Sequence, residues 1–176
     1  MPTDFGILVQ RDHVDVQKEL MRLLDPMATR PQLSAALDGV RLGLVAHAEA
    51  EDIVLGRFDA IAALEPVLAE ARAAHLAQES ALAALVSARP GTAVWRDRAV
   101  HLREMIRRHA LREELELVPA LRFHSPRELY QGLAGAFATE RLRQLAMLQP
   151  SAPLYLADVL HPDARDAGQA GAVAIT

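Results

Sequence analysis

The chain contains no cysteine. That absence excludes disulfide scaffolds, thiolate metal sites and cysteine nucleophiles, and it agrees with a reducing compartment. Glycine is sparse, 9 residues in 176, and β-branched residues do not gather into alternating runs, so strands lack their usual signature. A basic surplus is missing too: 19 Lys and Arg stand against 23 Asp and Glu, for a net charge of -4, which leaves no basic face for nucleic acid. No run of like charge marks a tail, and no apolar run is long enough to span a bilayer. Met1 to Gly6 show no basic region followed by an apolar stretch, so a cytoplasmic protein with no membrane partner is expected. No Ser-His-Asp arrangement, phosphate loop or dinucleotide fingerprint is present.

What the chain has is leucine and alanine at helical spacing, within a composition 51% hydrophobic and 24% charged. The reading is all-α, with enough core to fold unaided. Helices are predicted over residues 5–24, 32–56, 66–88 and 93–118, with a fifth from Ser125 to just before Pro150. Residues 57–65 are a linking turn or a continuation of the second helix. Asp25-Pro26, Gly56, the Arg89-Pro90-Gly91-Thr92 stretch and Pro119 serve as stops. Short connections between long helices favour antiparallel neighbours, so an up-down four-helix bundle is expected over residues 1–122. Residues 123–176 then supply an additional C-terminal helix and a loose tail. The fifth helix carries an apolar stripe, Leu129, Leu133, Phe137, Leu145 and Leu148, that the bundle or a second copy of the chain must cover, which allows a homodimer through this helix.

The chemistry lies in a repeated spacing. His47 and Glu51, His75 and Glu79, and His109 and Glu113 each stand four residues apart, which places both side chains on one helix face. About one such carboxylate is expected by chance from 23 Asp and Glu among 176 residues and seven histidines, by composition alone. Four are found, and one of them, Glu128 after His124, is discarded because Ser125, Pro126 and Glu128 read as a helix start with a capping box. Ile106, Ala110 and Leu117 turn the face of the last pair inward, and His13 lies on the core face of the first helix. The heights agree: His47 lies nine residues before Gly56 and His75 nine after Pro66, while His75 lies thirteen before Ala88 and His109 sixteen after Ala93. At about 1.5 Å per residue these mismatches stay within one turn. Any single pair reads as a helix-internal hydrogen bond, but three convergent pairs plus His13 would be a costly set of buried polar groups without a metal. Nitrogen and carboxylate donors without sulfur suit iron or manganese, with zinc next and copper less so.

Arg11-Asp12-His13, His47 to Glu51, His75, and His109 to Glu114 followed by Leu117-Val118-Pro119 resemble the hemerythrin-like, HHE cation-binding family of four-helix non-haem di-iron proteins. The resemblance runs from Asp4 through Pro119. It implies that His13 and His47 bind one iron, that His75 and His109 bind the other, and that Glu51 and Glu113 bridge them. It further implies dioxygen, nitric oxide, peroxide or iron as the exogenous partner, in a binding or sensing protein or else in a di-iron oxidase or peroxidase. The oxygen-carrying members have a second His four residues after the third-helix ligand and an Asp five residues after the last His. Here those roles fall to Glu79 and Glu113, and an anionic oxygen in place of an imidazole favours the ferric state, hence peroxide handling or sensing over reversible carriage. Glu79 is read as a ligand or as an acceptor that orients a histidine. His101 is expected to be a hydrogen-bonded structural histidine, Glu116 a further acceptor on the face of His109, and His124 and His161 solvated. Trp95, Phe5, Leu20, Leu44, Ile106 and Leu82 are expected in the core.

Overall fold

The computed structural model describes residues 4–149. It is all-α, in the order α1 (Phe5–Leu23), α2 (Arg30–Leu55), α3 (Glu65–Val86), α4 (Ala93–Arg112), α5 (Val118–His124) and α6 (Arg127–Leu148). Two 3-10 turns, Gly56–Phe58 and Ala62–Leu64, link α2 to α3, and one π-helical turn, Glu113–Leu117, joins α4 to α5. The boundaries follow local chemistry. Asp4 caps α1 by accepting from the Gly6 N–H at 2.9 Å, and Thr92 caps α4 by accepting from the Trp95 N–H at 3.2 Å, each satisfying a donor that a helix start leaves free. The Thr29 N–H donates to Gln32 at 2.8 Å ahead of α2. Gly91, at φ 81°, makes the turn before α4 in a conformation other residues avoid.

The helices α1 to α4 form a ring in which α1 meets α2 and α4, and α3 meets α4 and α2. Gly43 lets α1 and α2 approach, since a Cβ there would come within 3.0 Å of Val16 Cγ2. The apolar core is split in two. One cluster, including Phe5, Val9, Val54, Phe58, Leu68 and Leu121, fills one end of the bundle. The other, including Val16, Leu20, Val40, Leu85, Trp95 and Leu102, fills the opposite end. Phe5, Leu20, Leu44, Leu82, Trp95 and Ile106 are all buried, as expected. No described helix is long and apolar enough to cross a membrane.

Two expectations about the second half are corrected, and an open alternative is resolved. Pro119 does not end the fourth helix: the backbone stays helical to His124. A proline clashes with the carbonyl four residues earlier, and the widened turn, closed by Val118 N–H to Glu113 C=O, relieves the clash just ahead of it. The last helix starts one residue later than expected, with Pro126 rather than Ser125 at its cap and no side-chain cap bond. Its stripe is covered within the chain: α6 lies along α2 and α1, Leu133 and Phe137 join the first apolar cluster, and the Phe137 ring meets Phe5 edge-on at 5.4 Å. The stripe therefore creates no need for a second copy. The loose tail and His161 fall outside the described residues.

Candidate metal centre

The two apolar clusters leave a layer between them, and polar side chains fill it. His13 comes from α1, His47 and Glu51 from α2, His75 from α3, His109 from α4 and Glu113 from the π-turn, all buried, with Glu51 at 0% exposure. The four imidazoles form a ring. Their centroids lie 5.0 Å apart for His13 and His47, 6.1 Å for His47 and His75, 4.7 Å for His75 and His109, and 6.5 Å for His109 and His13. The height match read from helix ends is thus realised. Ligand-type atoms of His47, Glu51, His75, His109 and Glu113 all lie within 4.8 Å of one another, and His13 Nε2 joins them at 2.7 Å from Glu113 Oε2.

These groups are close without being aligned on each other. His109 Nε2 is 2.7 Å from Glu113 Oε1, and His47 Nε2 is 3.2 Å from Glu51 Oε2. Yet His47 Nε2, both oxygens of Glu51, His75 Nε2, His109 Nε2 and Glu113 Oε1 have no hydrogen-bond partner among the described residues. Buried polar atoms that ignore near neighbours and aim at a shared point suit a cation held between them, since leaving them unpaired is costly. The donor set of imidazole nitrogens and carboxylate oxygens fits iron, manganese or zinc.

The outward nitrogens tell the same story. Nδ1 of His13 lies 3.0 Å from Glu114, that of His75 2.9 Å from Asp52, and that of His47 3.4 Å from Asp12. Such a hydrogen bond fixes the rings of His13 and His75 and turns their Nε2 toward the centre, whereas Asp12 lies near Nδ1 of His47 without an aligned hydrogen bond. Arg141 of α6 donates to Asp12 in turn. The π-turn lets the consecutive Glu113 and Glu114 reach both sides of the His13 ring. In the sequence Asp12, Asp52 and Glu114 stand out only as neighbours of His13, Glu51 and Glu113. Their pairings cross between helices, which spacing along one helix cannot show.

The charges are strongly coupled. Burial alone would raise the Glu113 carboxyl, but His109, His13, His47 and His75 hold its pKa well below the usual range. Glu51 is pushed up, first by burial and then by the charge of Glu113. Burial opposes the charge on His75, yet Asp52, Glu113 and Glu51 overcome it and lift the pKa to about 9. His47 is raised well above its usual value against burial, by Asp12, Glu113 and Glu51. Without a metal, protons on His47 and His75 supply positive charge to the carboxylates around them.

Glu79 is not brought to this layer. It is exposed on α3, while the preceding residue, Gln78, is 2% exposed and turned inward with both amide atoms lacking a partner among the described residues. His101 and Glu116 are also exposed, so neither the structural role expected for the one nor the acceptor role for the other is realised in the core; His124 is exposed as expected. Glu116 lies at a cavity of about 410 Å³ between α3 and α4 that reaches Gln78, His109 and Glu113.

A four-helix bundle with an inward-facing layer of histidines and carboxylates defines a class of cation-binding proteins. A family model described as the hemerythrin HHE cation binding domain matches residues 8–121, and the chain belongs to that family. No curated protein and no solved structure matches the chain.

Proposed function

We propose that this chain is a hemerythrin-like non-haem di-iron protein that binds or senses dioxygen, nitric oxide, peroxide or iron. The supporting observation is the buried layer of His13, His47, Glu51, His75, His109 and Glu113, in which the inward atoms of His47, Glu51, His75 and His109 and one oxygen of Glu113 lie close together but lack partners among the described residues. His13 and His47 would hold one ion and His75 and His109 the other, with Glu51 and Glu113 shared between them. Iron bound there would supply one-electron redox chemistry and open positions for an exogenous ligand. The protein's own part is to fix His13 and His75 through Glu114 and Asp52, to set the Asp12 carboxylate beside His47, and to exclude bulk water with apolar clusters on both sides. The lack of cysteine supports a cytoplasmic setting.

A second reading, a di-iron oxidase or peroxidase acting on a small substrate, is favoured by the cavity between α3 and α4. Its volume of about 410 Å³ exceeds the roughly 30 Å³ share of one water and falls in the range of small-molecule sites. Metal analysis of protein purified from iron-replete cells tests the main reading, which expects about two iron ions per chain because the donors exceed what one ion accepts. A stoichiometry near one would overturn the dinuclear assignment, and a metal-free protein of undiminished stability would overturn metal binding.

A further inference from the structure

The chain departs from a closed ligand set at one place. The sequence offers Glu79 one turn after His75, but the structure turns Glu79 to solvent and buries Gln78 instead. An unpartnered buried amide is costly, about as much as a lost hydrogen bond for each polar atom. Here both the Oε1 and the Nε2 of Gln78 lack partners among the described residues. The side chain borders the cavity of about 410 Å³ between α3 and α4, together with His109 and Glu113. Most of the remaining wall is apolar, with Val67, Ala71, Ala74, Met105 and Leu111. On the opposite side of the centre, Phe137 packs on His47 at 5.8 Å and Arg141 is bound to Asp12.

We infer that the exogenous ligand is taken up through the α3–α4 cavity, on the His75 and His109 side, and that Gln78 is the hydrogen-bond donor that holds it. The inference rests on the metal-centre reading above and adds a route and a specificity residue to it. The ligand class follows from the amide. Gln78 is uncharged and carries an N–H₂ donor without a partner among the described residues, at the wall of a cavity that also reaches His109 and Glu113, so it suits a small anion that accepts a hydrogen bond, of the peroxide type. Ala74 lies one helical turn before Gln78 and lines the same cavity, so a large side chain there would obstruct the route while leaving the proposed ligands in place.

Azide serves as the probe, a small anion whose binding to the iron-loaded protein is followed by visible absorbance. Gln78→Leu is expected to weaken azide binding roughly tenfold or more, the worth of a hydrogen bond to a charged group, at unchanged iron content. Ala74→Phe should slow azide association about tenfold with a smaller change in affinity. Should Phe prevent folding, Ala74→Leu makes the same test with less bulk. In the metal-free chain, Gln78→Leu should raise Tm by roughly 2–4 °C, because it removes unpaired buried polar atoms, whereas a glutamine that braces the bundle would lower it on replacement. Azide affinity within about twofold of the parent in Gln78→Leu overturns the role of Gln78, and an unchanged association rate in the Ala74 variant overturns the route. If the parent takes up no metal, the reading of the centre has failed and the melting arm decides alone: a raised Tm supports an amide reserved for a ligand, and a lowered one overturns it.

Discussion

The two flanks of the histidine layer are built differently. On the α1–α2 flank, His13 is hydrogen-bonded from outside by Glu114, Asp12 lies 3.4 Å from Nδ1 of His47, and α6 lays Phe137 against His47 and Arg141 onto Asp12. On the α3–α4 flank, His75 is braced by Asp52, whose side chain is 38% exposed, and the space beyond His109 is a cavity. One flank is sealed by packing and a part-buried ion pair; the other is open and lined by an unpartnered amide. A centre that must be held firmly and still be reached divides those duties between opposite sides. The sealing helix, α6, lies outside the stretch that matches the family, residues 8–121.

The strongest way to break this comparison is to truncate one large side chain on each flank to alanine. Phe137 is 1% exposed and touches both Phe5 and His47, so Phe137→Ala should cost about 3–5 kcal/mol, the usual range for a buried aromatic. Met105 is half-buried at the wall of the cavity, and Met105→Ala should cost less than about 1 kcal/mol because the space beside it already exists. Urea unfolding of the two variants is the check. Equal losses would mean that the flanks do not differ in packing.

Proton linkage gives the next largest effect and distinguishes the metal-free from the metal-bound protein. The His75 pKa is raised to about 9, so its contribution is fully present below about 6.5 and is lost as pH rises through about 9. His47 is raised as well and adds in the same direction. The lowered Glu113 contributes above its ordinary range and loses that contribution only as pH falls through its depressed pKa. Glu51, with a raised pKa, favours the protonated form and so also weakens the fold as pH rises. The metal-free protein should therefore be more stable at pH 6 than at pH 9.5, by roughly 3 kcal/mol from His75 alone. Metal binding displaces those protons, so metal affinity should rise over the same window. Denaturation across pH with and without metal measures both, and parallel profiles would contradict proton-for-metal exchange.

Arg141 sharpens the comparison at smaller scale. Its guanidinium reaches Asp12, which faces Nδ1 of His47, so Arg141→Met leaves a nearly buried carboxylate without its cation. Outer partners of a ligating histidine are worth about 10–100-fold in metal affinity, and an effect passed through Asp12 belongs at the lower end, about tenfold. Asp52→Asn on the open flank should cost less, because water screens an exposed carboxylate. Competition with a metal-selective chelator ranks the two, and an equal or larger loss in Asp52→Asn would remove the sealed flank's advantage.

Much of this was legible in the sequence, for physical reasons that also explain the rest. Four-residue spacing fixes a helix face, and helix ends fix height, so His47, Glu51, His75, His109 and Glu113 could be placed at one level from spacing alone. His13 followed from the apolar residues around it. The limits arise where one helix does not decide. Asp12 follows Arg11 and precedes His13, yet it faces His47 on a neighbouring helix, and Arg141 reaches it from a sixth helix far along the chain. Pro119 reads as a stop, but the π-turn before it carries the helix onward. That same turn has no signature in hydrophobic period, since it inserts extra backbone without changing the apolar pattern that flanks it.

Glu79 carries the smallest expected effect and the clearest lesson. The spacing of four from His75 is the same as for the other two pairs, and in a straight helix it shares a face with His75. Sharing a face does not require sharing a depth. His75 already occupies the inward line of α3 with Ala71, Gln78 and Leu82, all buried, and Glu79 sits on the edge of that line beside a small opening of about 90 Å³ between α2 and α3. A carboxylate at such an edge keeps its hydration, and burying it against Glu51 and Glu113 would add like charge to a layer that already holds two. Glu79→His should therefore leave iron content unchanged and shift Tm by no more than about 1 °C, in keeping with a surface substitution. A gain of metal affinity of about tenfold or more, read by chelator competition, would show that α3 can turn this position inward and that the open flank closes when given an imidazole.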